Sequence, residues 1–265
     1  MRFDREIITT RLAPHVQILT PGDALVFGAT LIMLAVLMSL PLITGDRLPD
    51  FRPLETQERK DQFFAFLDPI LDEVNSDVTE ERLFIESVAA QLTAGESPSW
   101  LERRKIRRLA QYYEVTTTDA DLGSEVLPEL QMRVDTVPRS LVFVQAAKES
   151  GWGTSRFALE GNNLFGQRCY SAGCGMLPAG VKPDANFGVA RFGTVNASVA
   201  SYVRNLNTHP QYAGFRTQRR DLRRRAEVPT GVLLADSLID YSERGIEYVE
   251  EIKALIRQNS LEGHD

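Results

Sequence analysis

Cysteine and histidine are scarce in this chain of 265 residues, which holds two of the first and three of the second. Two cysteines are too few for a structural zinc site, and His15, His209 and His264 stand at no ligand spacing to them. No metal or cofactor is expected. Net positive charge is missing as well: the formal charge is −6 at pH 7, which argues against general affinity for nucleic acid. No internal repeat or low-complexity tract is present, which sets aside a repeat array. Otherwise the composition, 43% hydrophobic and 25% charged, is ordinary for a globular domain.

Charge of either sign is absent from residues 24–45, which include Leu25-Val26-Phe27 and the run from Leu31 to Met38. A membrane span needs about 20 predominantly apolar residues, and Gly28, Thr30, Ser39 and Pro41 are all tolerated within one. A buried core helix rarely goes so long without a charge. A cleaved signal peptide is the closer rival, but its apolar run is usually only about 7–15 residues and ends at a small-x-small site. Here residues 1–23 precede the run, and the stretch from Ser39 to Gly45 offers no such site. An uncleaved anchor is therefore expected. Its orientation cannot be read from charge, since Arg2, Arg5 and Arg11 precede it while Arg47, Arg52, Arg59 and Lys60 follow.

Beyond a linker from Asp46 to Pro53, apolar residues recur at helical spacing. One helix is predicted from Glu55 to Asn75 through Phe63, Phe64, Phe66, Leu67, Ile70, Leu71 and Val74. A second is predicted to start at Thr79-Glu80-Glu81 and end near Gly95. A third follows the Ser97-Pro98-Ser99 cap and runs through Trp100, Leu101, Ile106, Leu109 and Tyr113, its aromatics expected in the core.

At residues 138–157 one carboxylate stands where an apolar helix runs out. Pro138 suits a first turn, and Leu141 to Ala147 leave little polar surface, so the helix is predicted to be buried nearly all round. Gly151 and Gly153 end it. Glu149 beside Trp152 would meet a wall of low polarity, which raises a carboxyl pKa and suits a general acid. Lysozyme holds its acid against a Trp in this way to cleave a sugar bond. A solvated helix end or half of an ion pair is the plainer reading of such a Glu. The following Gly161-Asn162-Asn163-Leu164-Phe165-Gly166 supplies two amides able to bond an N-acetyl sugar or to pin a loop.

The pair of motifs, Ala146-Ala147-Lys148-Glu149-Ser150-Gly151-Trp152-Gly153 and then Asn162 to Gly166, resembles glycoside hydrolase family 73 glucosaminidases, most closely those of Bax type. The resemblance covers residues 135–258, through Arg191-Phe192, Ser198 to Leu206, Asn207 to Ala213 and Leu238 to Val249. It implies a mainly α, lysozyme-like α+β domain with a small β-hairpin lobe between Phe165 and Phe192. It also implies hydrolysis of the β-1,4 bond after N-acetylglucosamine in peptidoglycan. Glu149 takes the general-acid role and Tyr241 the supporting tyrosine; Trp152, Asn162, Asn163, Phe165 and Tyr212 are assigned to substrate.

Many relatives carry a second acid, usually Glu, in the hairpin lobe. Between Gln167 and Gly193 this chain has no Glu, and Asp184 is the only acid there. Asp184 is a weak second carboxylate, and attack by the substrate's own acetamido oxygen would make one unnecessary. A lytic transglycosylase, or a wall-binding scaffold without activity, are the other readings.

Cys169 and Cys174 can close a small loop, and a disulfide there requires an oxidising compartment; free buried thiols are the alternative. With a wall-directed activity, the plan is a cytoplasmic tail (1–23), an inner-membrane anchor (24–45), a linker and helical region (46–134), a periplasmic catalytic domain (135–258) and a tail (259–265). The expected partners are glycan strands and, through residues 24–45, the membrane. The arginine-rich stretch from Phe215 to Arg225 is expected to be either a solvated helix face or a contact for anionic lipid or wall carboxylates.

Overall fold

Helix formation dominates, with α1 (Thr56–Thr93) as the longest element. The computed structural model describes residues 47–116, 122–171, 173–180, 182 and 186–265. The predicted anchor, residues 24–45, and Asp184 lie outside them. Among the described residues no helix is long and apolar enough to cross a membrane.

The first two predicted helices are one. Thr79 does not cap a new start; its hydroxyl bonds back to the Asn75 carbonyl at 2.7 Å, a contact that a continuous helix accommodates. Phe63, Leu67, Ile70, Leu71, Val74, Val78, Ile85 and Val88 form a single buried stripe along it. The next helix, α2 (Trp100–Tyr112), begins as predicted: Ser99 and Glu102 cap each other reciprocally. Tyr113 is buried, but Trp100 is 65% exposed, because it sits in the first turn before the buried face begins.

A π-helical turn (Leu122–Val126) leads into α3 (Leu127–Arg133), and α4 (Arg139–Ser150) follows as the central helix. Nearly every side chain from Ser140 to Ala147 is buried, as its composition predicts. Around it run α5 (Arg156–Gly161), α6 (Val195–Thr208), α7 (Ala213–Arg224), α8 (Gly231–Ala235) and α9 (Ile246–Gln258), with short 3-10 turns at Pro210–Tyr212, Asp236–Tyr241 and Leu261–His264. Helix α1 packs on α3, α4 and α6, while α9 lies against α4 and α8. One apolar core joins them, so the region before residue 135 is built into the same unit as the rest.

The hairpin lobe is small. Strands β1 (Arg168–Cys169) and β2 (Gly188–Val189) pair antiparallel, and Met176 adds a bridge to Val189. Cys169 and Cys174 are bonded, their Cα atoms 6.0 Å apart. Close packing at two glycines fits this lobe together: a Cβ on Gly175 would lie 2.0 Å from the Val189 carbonyl oxygen, and one on Gly188 2.2 Å from that of Cys174. This mainly helical arrangement with one two-stranded sheet fits a lysozyme-like α+β domain.

The arginine stretch is divided: Arg216 and Arg219 are buried, whereas Arg223, Arg224 and Arg225 are exposed at its end. Arg219 is fully buried on α7 and donates to the carbonyls of Asp135, Thr136 and Arg133. Arg223 grips the buried Asp135 carboxylate with two bonds of 2.6 and 2.7 Å, and Arg82 reaches it from α1 at 3.5 Å. These arginines tie α1, α3 and α7 together.

Candidate active site

Glu149 lies in the last turn of α4, and both ends of that helix are held. Asp265 accepts from the Ser140 backbone N–H at 2.8 Å and from its hydroxyl at 2.7 Å, so a carboxylate caps the positive end. The same carboxylate accepts from the Gly231 N–H, which makes the segment read as a tail a structural clasp. At the far end Gly151 turns left-handed and Trp152 donates to the Ala147 carbonyl at 2.7 Å. Gly153, at φ +72°, allows close approach: a Cβ there would meet Phe51 at 2.9 Å.

After that reversal the Trp152 ring packs edge-on against Phe63 and Phe64 of α1, with centroids at 6.1 and 5.3 Å, and Lys60 covers its face. Glu149 has an aromatic partner in Tyr248 on α9, whose hydroxyl donates to Glu149 Oε1 at 3.1 Å. Gln145 Nε2 donates to that hydroxyl at 3.0 Å, and the Tyr202 hydroxyl donates to Gln145 Oε1. Because Tyr248 oxygen accepts from Gln145, its own proton is directed at Glu149.

Burial and a hydrogen bond act most on the Glu149 carboxyl, with smaller opposed pushes from Lys148, downward, and Glu251, upward. Partial burial pushes it above its ordinary value, and the Tyr248 hydrogen bond opposes that by favouring the charged form; the net direction is upward. The side chain remains open to solvent at the helix end. Of other acids, Glu251 adds a small upward push, but Lys148 and Arg244 pair with it at 2.6 Å each and hold it ionised.

Tyr241 stacks on Tyr248 with ring centroids 5.4 Å apart, and Tyr212 lies 6.1 Å beyond Tyr241. Burial, with help from Tyr248 and the Glu149 charge, raises Tyr241 well above the usual phenol range, so it stays protonated. The tyrosine ladder leads from Glu149 to a groove of about 420 Å³ lined by Gln167, Arg168, Tyr170, His209 and Tyr212. Gln167 donates to Ser201 at 3.0 Å, while its buried Oε1 has no partner among the described residues.

The two motif amides pin loops. Asn163 Nδ2 donates to the carbonyls of Gln167 and Ala190 at 2.9 Å each, and its oxygen accepts from the Phe165 and Gln167 N–H groups. Asn162 holds Phe192 and Gly193 from a left-handed helix cap. The Asn163 side chain and the Asn162 amide nitrogen are thus bonded to the base of the hairpin. Phe165 is likewise core, stacked on Tyr202 at 4.0 Å. Tyr248, Gln145 and Tyr202 are the members that sequence reasoning missed. Tyr248 lies within the final motif, Leu238 to Val249, and that was its only signal.

The family model for glucosaminidases, described as mannosyl-glycoprotein endo-beta-N-acetylglucosaminidase, matches residues 126–261. The protein is also 35% identical over 215 residues to "Protein bax" of Escherichia coli (strain K12), covering 80% of this chain and 74% of that one. The chain belongs to the glucosaminidase family, as a Bax-type member. No solved structure matches it. In this member of the glucosaminidase family, Glu149, Gln145, Tyr241 and Tyr248 all fall inside the matched residues, whereas α1 and α2 precede them. The family domain is thus completed by a helical region outside its own limits.

Proposed function

We propose that the chain hydrolyses the β-1,4 bond after N-acetylglucosamine in peptidoglycan, with Glu149 giving its proton to the departing sugar oxygen. The observation that carries this reading is Glu149 itself: a solvent-open carboxyl at the end of a buried helix, raised by its surroundings and oriented by Tyr248. Raising the pKa keeps the acid protonated closer to neutral pH, as proton donation requires. The nucleophile in this proposal is the substrate's 2-acetamido oxygen, which attacks the anomeric carbon as the glycosidic bond breaks. Water then attacks the anomeric carbon and opens the resulting ring, restoring the acetamido group; its oxygen and one hydrogen become the new anomeric hydroxyl, and its other hydrogen returns to Glu149. The hydroxyl of Tyr241 would support the developing positive charge. Glu251 is a poor water-activating base because two cations already neutralise it.

The same reading places residues 1–23 in the cytoplasm, residues 24–45 in the inner membrane and the catalytic domain in the periplasm. The charge-free run and the bonded pair Cys169–Cys174, which needs an oxidising compartment, support it. Intact mass from the membrane fraction should then include residues 1–44, whereas a soluble form beginning between Ser39 and Asp46 would contradict the anchor. Mass spectrometry of digested wall tests the chemistry. New reducing N-acetylglucosamine ends support hydrolysis; anhydro-sugar ends would show a lytic transglycosylase instead.

A further inference from the structure

Alongside the groove by Tyr212 lies a larger cavity, about 600 Å³, whose walls include Glu81, Lys105, Arg108, Tyr112 and Arg204. Apart from Arg204, these residues precede the family-matched segment, so the helical region α1–α2 supplies a site that the family domain lacks. Arg204 lines both hollows. It is held between them: its guanidinium lies over the Tyr112 ring at 4.9 Å, donates to the Tyr112 carbonyl at 2.8 Å and pairs with Glu114 at 2.9 Å. The two hollows are therefore neighbours, with Arg204 as their common wall.

Charge in the cavity is unbalanced. Arg204 is already paired with Glu114, which leaves Lys105 and Arg108 facing one acid, Glu81, and that acid is engaged by the Tyr113 hydroxyl at 2.6 Å. Burial raises the Glu81 carboxyl above its ordinary value, and the Tyr113 hydrogen bond opposes that. Arg108 makes no ion pair among the described residues, and Lys105 rests over the Phe84 ring at 4.1 Å. Such a set of cations suits carboxylates. On a peptide-bearing wall strand the sugars are neutral, and the lactyl carboxyl is consumed in the amide to the peptide. The free carboxylates are those of the peptide.

We infer that this cavity is an accessory subsite for the peptide carboxylates of the strand whose sugars occupy the Tyr212 groove, an inference that rests on the glycan-cleaving function proposed above. It would make the chain discriminate between peptides by charge.

The test is calorimetric binding to full-length Glu149→Gln protein, so that turnover does not interfere. One ligand is a soluble peptide-bearing glycan fragment; the other is that fragment with its peptide carboxylates converted to primary amides. The acid form should bind about five- to tenfold more tightly, two partly exposed ion pairs being worth that much. Adding Lys105→Ala and Arg108→Ala, both exposed positions, should abolish the preference while binding of the amide form persists. Equal affinity for the two ligands, or a preference that survives in the triple variant, would overturn the subsite alone. Failure to bind either ligand would overturn the glycan reading beneath it as well.

Discussion

The hydroxyl of Tyr248 stands 3.1 Å from Glu149 Oε1 and is committed to it, because Gln145 occupies its acceptor side. This bond favours the ionised carboxylate and opposes burial. Tyr248→Phe should therefore raise the Glu149 pKa further. In the proposed mechanism, loss of the proton from Glu149 sets the alkaline limb of activity, and that proton is held above the ordinary carboxyl value. In the variant that limb should move to higher pH while the maximal rate falls about tenfold through lost orientation. A pH–rate profile checks both. A limb that stays in place or moves down would detach Tyr248 from Glu149.

Tyr241 stacks on Tyr248 and is kept protonated by burial. In the substrate-assisted reading Tyr241→Phe should lower turnover about tenfold or more with the fold intact, since only one hydroxyl is lost. Asp184→Asn should stay within a few-fold of the parent, and the new reducing end should keep the β-configuration. NMR of fresh product decides. An inverted product together with an inactive Asp184→Asn would identify a water-activating base.

Asp135 is buried among Arg82, Arg219 and Arg223. Burial alone would push its carboxyl up, but the guanidiniums outweigh this and hold it below the ordinary 3.8. Its ionised form stabilises the fold above that value, and the stabilisation is lost as pH falls through the lower folded value. Asp135→Asn leaves Arg219 buried without a counter-charge, which should cost about 3–5 kcal/mol in urea denaturation at neutral pH. A loss under about 1 kcal/mol would show that the carbonyl bonds to Arg219 suffice.

Gly175, at φ +66°, lies against the Val189 backbone. Gly175→Ala must open the Met176–Val189 bridge, because the added Cβ meets a carbonyl oxygen rather than a movable side chain. Hydrogen exchange should speed at Met176 and Val189 while α4 stays protected. Unchanged exchange at both amides would mean that the lobe is not closed by this contact.

What was legible in the sequence follows from locality. Glu149, the helix that carries it and its glycine stop are encoded within a few residues, and so is the Ser99–Glu102 cap. The partner of Glu149 is not local. Which tyrosine reaches it depends on how α9 packs on α4, and the kink around Gly245 lies between Tyr241 and Tyr248 in the chain. Asn163 shows the same limit. Its amide suits a sugar or a loop equally, and only the returning strand at Ala190 commits it to the loop. The arginines from 216 to 225 look like a solvated run, yet Arg219 is buried because Asp135, far away in sequence, supplies the counter-charge.

Turnover of purified peptidoglycan by Glu149→Gln, with products counted by mass spectrometry, tests the central claim most directly. The amide keeps the shape and can still accept from Tyr248 but has no acidic proton to give. The account predicts an unchanged melting curve and a rate lowered about 10²-fold or more. A variant retaining more than about a tenth of the parent rate would show that another group donates the proton.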